Sequence, residues 1–491
     1  MTSPSPPSLA LSSPPGRWLI LTATLGSGIA FLDGSVVTVA LPTIGRELGG
    51  GIAVLQWVVD GYLLTLSALL LLGGALGDRY GRRRLFAIGL VVFTLASLAC
   101  GLAPTGGALI VARLLQGVGG ALLVPGSLAL IDATIRREDR GQAIGIWAGL
   151  SGVTSALGPF VGGWLVSAVS WRWVFLINVP LAAVALIVAL RHVPESRDPT
   201  ATGRPDLAGA ACVTVGLAGV VYALIEGPSR GWTVLTVSAL AVGVLALVAF
   251  PLVERRRPAA LLPPSLFRSL QFSGANLTTF AVYAALTGGQ FLLTLQLQQV
   301  MGYSALAAGL ATLPMTVIML VLSPVIGGLA QRTGPRLPMT VGPFVVAAGM
   351  ALLIRAVPGT TYLAGVLPGV LVFGLGLAVT VAPLTATVLA AVDEQHVGTA
   401  SGVNNAVART AGLLAVALLP LVAGLSGDGA GALGPGFARG MLVAAGLCAL
   451  GGVVAFLTID RAVPVRRHIV PGVQHACQHP HTRRATGAGP E

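Results

Sequence analysis

The sequence contains no lysine, and all 29 of its basic residues are arginines. A nucleotide-binding P-loop requires a lysine beside its last glycine, so this absence excludes direct use of ATP through such a loop. Charged residues make up only 9% of the chain, whereas 55% of its 491 residues are hydrophobic. Too little polar surface remains to cover a water-soluble core, which indicates that lipid surrounds most of the chain.

Cysteine and histidine are also scarce, with four and six residues respectively. Cys100, Cys212 and Cys448 fall in predicted helices and Cys477 in the C-terminal segment, without a CxxC pair, so no disulfide is predicted. Four histidines near Cys477 lack the spacing of a structural zinc site, and we predict no metal and no cofactor: His468, His475, His479 and His481. The first 16 residues lack a signal peptide's charged start and cleavage site, so we expect the first apolar run to be an uncleaved span.

The apolar runs have the length that an α-helix needs to cross a bilayer, roughly 20 residues. We therefore predict an all-α, multi-pass membrane protein. Its fourteen predicted spans lie at about 18–41, 54–77, 85–103, 107–131, 142–166, 173–191, 207–225, 233–253, 272–296, 305–330, 337–355, 362–384, 404–424 and 437–458.

The arginines divide unequally between the loops on the two sides of the membrane. With alternating loops, 22 lie on the side that holds both termini, which we call the arginine-rich face. The arginine-poor face holds five: Arg46, Arg172, Arg230, Arg355 and Arg439. The positive-inside rule places the arginine-rich face and both termini in the cytoplasm, at a bacterial cytoplasmic membrane. Because loop topology accounts for this charge, we predict no nucleic-acid partner.

An internal repeat links the two ends of the chain. Residues 74–83 match residues 327–336 at an offset of 253, and 141–145 match 398–402 at an offset of 257. Two matches at nearly one offset predict a duplicated six-helix unit with two helices between the copies. The predicted parts are a disordered tail 1–17, a bundle 18–191, an inserted pair 207–253, a connector 254–271, a second bundle 272–458 and a basic disordered tail 459–491.

The loop after the second span carries the most specific motif, which runs from Gly74 to Arg84. It closely resembles the signature loop of the major facilitator superfamily. The resemblance implies a conformational latch, in which Asp78 pairs with arginines and helix ends in one access state and releases in the other. Its predicted members are Gly74, Asp78, Arg79, Gly81, Arg82 and Arg83. The alternative is that the arginines only fix topology.

Further stretches narrow the resemblance, namely 32–42, 113–121, 152–163 and 171–180. Together with fourteen spans, they resemble the fourteen-helix drug:proton antiporters. The resemblance implies a monomer that exports hydrophobic drugs or antibiotics by alternating access, driven by protons, and that is not an enzyme. Proton-linked uptake of a nutrient stays open as an alternative, as does a non-transporting sensor or intramembrane enzyme.

The fifth predicted span contains the antiporter motif of that branch: Gly152, Gly158, Pro159, Gly162 and Gly163. Proline removes a backbone hydrogen bond and glycine removes side-chain bulk, so this helix can bend or pack closely against a partner. Ordinary small-residue packing is the alternative interpretation.

Asp33 and Arg113 lie inside predicted spans at similar depths from the arginine-poor face. A charge in a span is costly enough to suggest a function. We predict that Asp33 is the proton-titrating or cation-binding acid and that Arg113 modulates its proton affinity. A static structural ion pair is the alternative.

Other polar residues are secondary candidates. Asp60 lies near the end of the second span, where exposure to water and a role in binding a substrate cation are both plausible. Gln116, Gln290 and Gln296 are predicted to line the substrate pathway or to bond between helices. Arg409, at the start of the thirteenth span, is interpreted as a surface anchor or gate partner rather than a substrate site, and Glu226 as part of a solvated turn. Substrate charge stays open, including an anionic compound.

Overall fold

The computed structural model describes residues 9–198, 205–256, 261–393, 396–425 and 433–461. These residues form fifteen α-helices: α1 Pro14–Leu48, α2 Ile52–Tyr80, α3 Arg82–Gly101, α4 Gly106–Thr134, α5 Arg137–Ala168, α6 Trp173–Leu176, α7 Asn178–His192, α8 Leu207–Arg230, α9 Val234–Arg255, α10 Leu270–Leu295, α11 Ala305–Thr333, α12 Arg336–Leu353, α13 Leu367–Ala390, α14 Val397–Ala423 and α15 Leu433–Thr458. A 3₁₀ turn, Pro264–Arg268, precedes α10, and π-helical turns, Gln296–Val300 and Tyr362–Val366, follow α10 and precede α13.

The prediction of an all-α protein with fourteen spans is confirmed. Within the described ranges, 14 helical segments are long and apolar enough to cross a membrane, with α6 and α7 together forming the sixth. Most extend beyond the predicted apolar runs, and side-chain caps begin several of them. The hydroxyls of Ser13, Thr105, Ser269 and Ser304 accept hydrogen bonds from backbone N–H groups three residues later.

The N-terminal segment is shorter and better anchored than the predicted tail 1–17. The helix already begins at Pro14. The backbone of Leu9 donates to the carbonyl of Thr134 at 2.8 Å, and the N–H of Leu11 donates to the Asp139 carboxylate at 2.9 Å. Residues 9–13 therefore pack against the loop between α4 and α5. Residues 1–8 and 462–491, with the tail histidines and Cys477, lie outside the described residues.

The helices group as six, two and six. In the first group α4 packs on α2 and α3, and α1 on α5; in the last, α13 packs on α11 and α12, and α10 on α15. Glycines allow the closest approaches: an added Cβ on Gly119 would lie 2.6 Å from the backbone of Phe93, and one on Gly349 would overlap the backbone of Phe373. We refer to these groups as the first half and the second half.

The inserted helices α8 and α9 pack on each other, and α8 also contacts α2 and α14. Glu226 belongs to the docking surface of α8, so its prediction as a solvated turn is wrong. It is only 7% exposed, accepts a hydrogen bond from Trp57 Nε1 at 2.8 Å and pairs with Arg230 at 2.7 Å. The helix continues to Arg230, beyond the predicted span end at 225, and this carries Glu226 into the interface.

The repeated loops adopt the same turn in both halves. Gly81 ends α2 with a φ of 115°, and Gly334 ends α11 with a φ of 90°. Each donates its N–H to the carbonyl four residues earlier, Gly77 at 3.0 Å and Ala330 at 2.9 Å. Positive φ is costly for residues with a Cβ, which explains why glycine stands at both positions.

The two halves contact each other near the arginine-poor face. Gln56 Nε2 on α2 donates to the carbonyl of Val416 on α14 at 2.8 Å. Gln298 Nε2 donates to the carbonyl of Val39 on α1, also at 2.8 Å. At the same level, the N–H of Leu306 on α11 donates to Ser167 Oγ at 3.3 Å. The helix ends on this face are thus joined across the interface between the halves.

Candidate functional site

Asp33 lies in the middle of α1 and its side chain is completely buried. Its Oδ2 accepts a hydrogen bond from Nη1 of Arg113. Its Oδ1 accepts from Gln116 Nε2 at 2.8 Å and from Asn178 Nδ2 at 3.1 Å. Three donors from α4 and α7 therefore converge on one carboxylate.

Arg113 is 1% exposed and is held from several directions. Besides its bond to Asp33, Nε donates to the carbonyl of Val58 at 2.8 Å and Nη1 to Gln116 Oε1 at 2.7 Å. The guanidinium carbon lies 4.5 Å from the ring centre of Tyr62 and 5.7 Å from that of Phe175. Aromatic faces stabilise a cation that has left water. The Asp33 carboxylate, two further acceptors and two aromatic rings therefore offset the cost of burying the Arg113 charge.

A hydroxyl and an amide complete the cluster, and the sequence analysis assigned neither a role. Ser97 Oγ on α3 accepts from Gln116 Nε2 at 3.2 Å and from Asn178 Nδ2 at 3.1 Å, and it donates to the carbonyl of Phe175 at 2.9 Å. Asn178 is a lone polar residue in the apolar run of a predicted span, and this pattern could have identified it from the sequence. Gln116 was predicted to line the substrate pathway or to bond between helices, and it does the latter, since it is fully buried inside this network.

Asp60 is fully buried, so of its two interpretations the water-exposed residue is wrong and the substrate-cation site stays a prediction. It lies on α2 eight residues from Ile52, and the adjoining helices α4 and α14 cover that end. Neither carboxylate oxygen has a hydrogen-bond partner among the described residues. A buried carboxylate without a hydrogen-bond partner is costly, which makes Asp60 a candidate for a functional acid.

Arg409 also lies elsewhere than predicted. The helix α14 begins at Val397, seven residues before the predicted span start at 404, so Arg409 is near the middle of the membrane and not at its surface. Its guanidinium carbon is 5.1 Å from the ring centre of Phe31 on α1. Arg409 therefore faces the other half of the molecule.

The remaining glutamines are parts of the second half's packing. Gln296 is fully buried and its Nε2 donates to the carbonyl of Ala356 at 2.8 Å. This contact favours the second of its two interpretations, a hydrogen bond inside the bundle. Gln290 is partly exposed and its Nε2 contacts the sulfur of Met315 at 3.7 Å.

The antiporter motif brings α5 close to two other helices. An added Cβ on Gly158 would overlap Ser35, and one on Gly162 would lie 2.9 Å from the carbonyl of Val36, both on α1. At Gly163 it would lie 2.6 Å from the carbonyl of Ala305 on α11. Gly152 differs, since it is exposed with nothing within 4 Å. Four of the five motif residues thus lie where α5 packs on α1 and α11, since Pro159 also lies against Gly309.

The loop motif forms hydrogen bonds on the arginine-rich face. Asp78 Oδ1 accepts from Arg82 Nε at 2.8 Å and Nη2 at 2.7 Å. Glu195, which the sequence analysis missed, accepts from the N–H groups of Arg83 at 3.0 Å and Arg84 at 3.2 Å. Arg83 also donates to the carbonyl of Val193 at 3.0 Å. The segment after α7 therefore holds the start of α3, and Asp78 keeps its partner within the first half.

Comparison with known proteins agrees with this architecture. The family model described as Major Facilitator Superfamily matches residues 23–416. The chain is 40% identical to the puromycin resistance protein of Streptomyces alboniger over 413 residues, covering 83% of this chain and 82% of the relative. It is 37% identical to the methylenomycin A resistance protein of Streptomyces coelicolor over 467 residues, covering 93% and 94%. The tetracenomycin C resistance and export protein of Streptomyces glaucescens is 36% identical, with 83% and 76% covered.

Solved structures share the fold at low sequence identity. A peptide transporter in complex with sulfate matches with a TM-score of 0.67 at 15% identity, covering 92% of this chain and 96% of that chain. A D-xylose–proton symporter matches with a TM-score of 0.64 at 15% identity, covering 91% and 98%. At this identity the likeness concerns the arrangement of helices alone.

Proposed function

Since the chain belongs to the major facilitator superfamily of membrane transporters, we propose that it exports hydrophobic antibiotics or drugs from the cytoplasm in exchange for protons. The names of its relatives, which refer to puromycin, methylenomycin A and tetracenomycin C, support an antibiotic as substrate. The excess of arginine on one face supports a cytoplasmic location for that face and for both termini.

Proton coupling rests on one observation, the two completely buried acids of the first half. Asp33 is paired with Arg113, whereas neither carboxylate oxygen of Asp60 has a hydrogen-bond partner among the described residues. A carrier needs acids whose proton affinities change between access states. We propose that Asp60 carries a proton in the state seen here. We further propose that the Asp33–Arg113 pair opens in the other access state, when Asp60 releases its proton and Asp33 binds one.

The position of the contacts between the two halves indicates which access state the structure represents. Hydrogen bonds across the interface lie near the arginine-poor face, at Gln56, Gln298 and Ser167. With that face outside, this is the conformation closed toward the exterior. We propose that α5 separates from α11, and α2 from α14, when the exterior side opens, and that Asp78 then exchanges Arg82 for another partner. A monomer suffices for this cycle.

The experiment is transport into everted membrane vesicles with an acidic interior, using tetracenomycin C, methylenomycin A and puromycin. An antiporter accumulates its substrate inside, a protonophore abolishes the accumulation, and Asp33→Asn and Asp60→Asn lose it. Accumulation that is independent of the gradient and of both substitutions would contradict proton coupling. Accumulation only when the gradient is reversed would favour proton-linked uptake instead.

A further inference from the structure

Arg409 places a cation at the centre of the molecule, and the export mechanism above does not use it. It is residue 13 of the 27 in α14, about 18 Å along the helix from its start. Gly402 and Val416, seven residues before and after it, both lie against α2: an added Cβ on Gly402 would lie 3.4 Å from Leu71, and the carbonyl of Val416 accepts from Gln56. Residues seven apart share a helix face, so Arg409 faces the interface between the halves.

The groups around Arg409 are aromatic and neutral. Its guanidinium lies over the ring of Phe31 on α1. The hydroxyl of Tyr62 on α2 donates to the carbonyl of Ala30, the residue before Phe31, at 3.3 Å. Tyr283 on α10 lies one turn before Thr287, which an added Cβ on Gly412 of α14 would approach to 2.9 Å, so Tyr283 and Arg409 share a depth. Asn405 precedes it by one turn on the same side of α14, and the amide forms no hydrogen bond to another described residue. Arg409 thus stands among groups from three other helices, all near mid-depth.

No carboxylate of the described ranges lies within salt-bridge distance of Arg409, and its side chain forms no hydrogen bond there. The two nearby acids do not compensate it. Asp33 is already engaged by Arg113, and Asp60 forms no ion pair or hydrogen bond with Arg409 or any other described residue. An arginine is always charged, and a charge at mid-membrane requires a counter-charge or a hydrated cleft. Arg409 is therefore a cation at the centre of the interface without a described counter-charge in contact with it.

We infer that Arg409, with Asn405 and the aromatic rings of Phe31 and Tyr283, forms a subsite for the anionic group of an amphipathic aromatic substrate, such as a carboxylate or a phenolate. This inference rests on the proposed export function and narrows its substrate class. A planar guanidinium binds a carboxylate through two parallel hydrogen bonds, and the rings offer apolar contact to the body of the compound.

The test compares three naphthalene probes that differ in charge: 2-naphthoate, neutral 2-naphthamide and cationic 2-naphthylmethylammonium. Full-length protein in lipid nanodiscs binds tritiated 2-naphthoate, and each unlabelled probe competes for it. One hydrogen-bonded charge pair corresponds to about a tenfold difference in affinity. We expect 2-naphthoate to bind about tenfold more tightly than 2-naphthamide, with the ammonium probe weakest.

The variants separate this subsite from other roles of the charge. Arg409→Gln lowers the affinity for 2-naphthoate to that for 2-naphthamide and leaves 2-naphthamide unchanged, whereas Arg409→Lys keeps part of the preference. Arg355→Gln, which removes an exposed arginine at the arginine-poor end of the same half, behaves as wild type. Absence of naphthoate binding, equal affinities in the wild type, or equal loss of all probes in Arg409→Gln contradicts the inference. The last result would instead indicate a gate cation.

The results that would contradict the export proposal differ from those that would contradict the subsite. The probe affinities are measured without a gradient, so charge preference is independent of proton coupling. A protein that prefers 2-naphthoate in nanodiscs but shows no gradient-dependent transport in vesicles would retain the subsite and contradict antiport. A protein that transports with a proton gradient but ignores probe charge would retain antiport and contradict the subsite.

Discussion

The first half and the second half are built alike but differ at their centres. In the first half, the polar side chains at mid-depth include the ion pair of Asp33 and Arg113 and the unpartnered acid Asp60. In the second half, the described network is neutral: Asn404 Nδ2 donates to Thr279 Oγ1 at 2.7 Å and to Asn276 Oδ1 at 3.2 Å. The second half's charge, Arg409, is instead turned toward the first half.

The two halves therefore share their helix packing but differ in their buried charged residues. Gly119 against Phe93 and Gly349 against Phe373 show that both halves use glycine to bring helices together. Of the two halves, only the first contains fully buried charged side chains among the described residues, namely Asp33, Asp60 and Arg113. We therefore propose that proton coupling belongs to the first half and that the second half supplies the cation for the substrate.

The largest expected effect comes from breaking the ion pair on one side. Arg113→Gln leaves Asp33 buried without its cation, and we expect the free energy of unfolding to fall by about 3–5 kcal/mol. Denaturation of purified protein in mixed micelles measures it. The double variant Asp33→Asn with Arg113→Gln removes both charges and regains most of this loss. Arg172→Gln is the control, because Arg172 pairs with Glu47 at an exposed site and such pairs contribute about 0–1 kcal/mol. If Arg113→Gln lowers the free energy of unfolding no more than Arg172→Gln does, the ion pair of Asp33 and Arg113 is not buried away from water as described.

Glycine packing at the interface between the halves gives the next effect. Gly163→Ala places a methyl group 2.6 Å from the carbonyl of Ala305, and overpacking of this kind costs about 1–3 kcal/mol. Gly152→Ala is the matched control in the same helix, since nothing lies within 4 Å. Alanine is the better helix former, so we expect this control to be neutral or slightly stabilising. Thermal unfolding of both variants measures the contrast, and equal destabilisation would mean that the motif does not act through the α5–α11 contact.

The neutral network of the second half predicts a smaller effect. Asn404→Ala removes two interhelical hydrogen bonds, and double-mutant cycles in membranes give about 0.6 kcal/mol for each such bond. We expect a loss of about 1 kcal/mol and unchanged dependence of transport on the pH gradient. A strong change in proton coupling in Asn404→Ala would show that the two halves share the proton chemistry.

For Asp60→Asn we predict the smallest change in the free energy of unfolding and a large change in the coupling of transport to protons. Its oxygens have no partners among the described residues, so Asp60→Asn removes no hydrogen bond and leaves the free energy of unfolding unchanged or raised. Asp33→Asn lowers it, because the carboxylate accepts three hydrogen bonds. The same micelle denaturation compares the two acids. A substantial loss in Asp60→Asn would reveal a partner and exclude the protonated acid.

Much of this architecture is predictable from the sequence, because a span must be about 20 apolar residues long and loop arginines alternate. The meeting of Asp33 and Arg113 was predicted from their depths. Which donors surround them was not, because Ser97 and Asn178 converge only after α3 and α7 pack beside α1. Asp60 and Arg409 were misplaced for one physical reason: helices continue past the apolar run, so distance from a predicted span end underestimates depth.

The central claim is that the buried acids of the first half couple protons to export, and substrate exchange in proteoliposomes tests it most directly. With tetracenomycin C on both sides and no pH gradient, exchange requires alternating access but no net proton transfer. We predict that Asp60→Asn keeps this exchange at the wild-type rate and loses gradient-driven accumulation. Gradient-driven accumulation that persists in Asp60→Asn at the wild-type level would contradict the account.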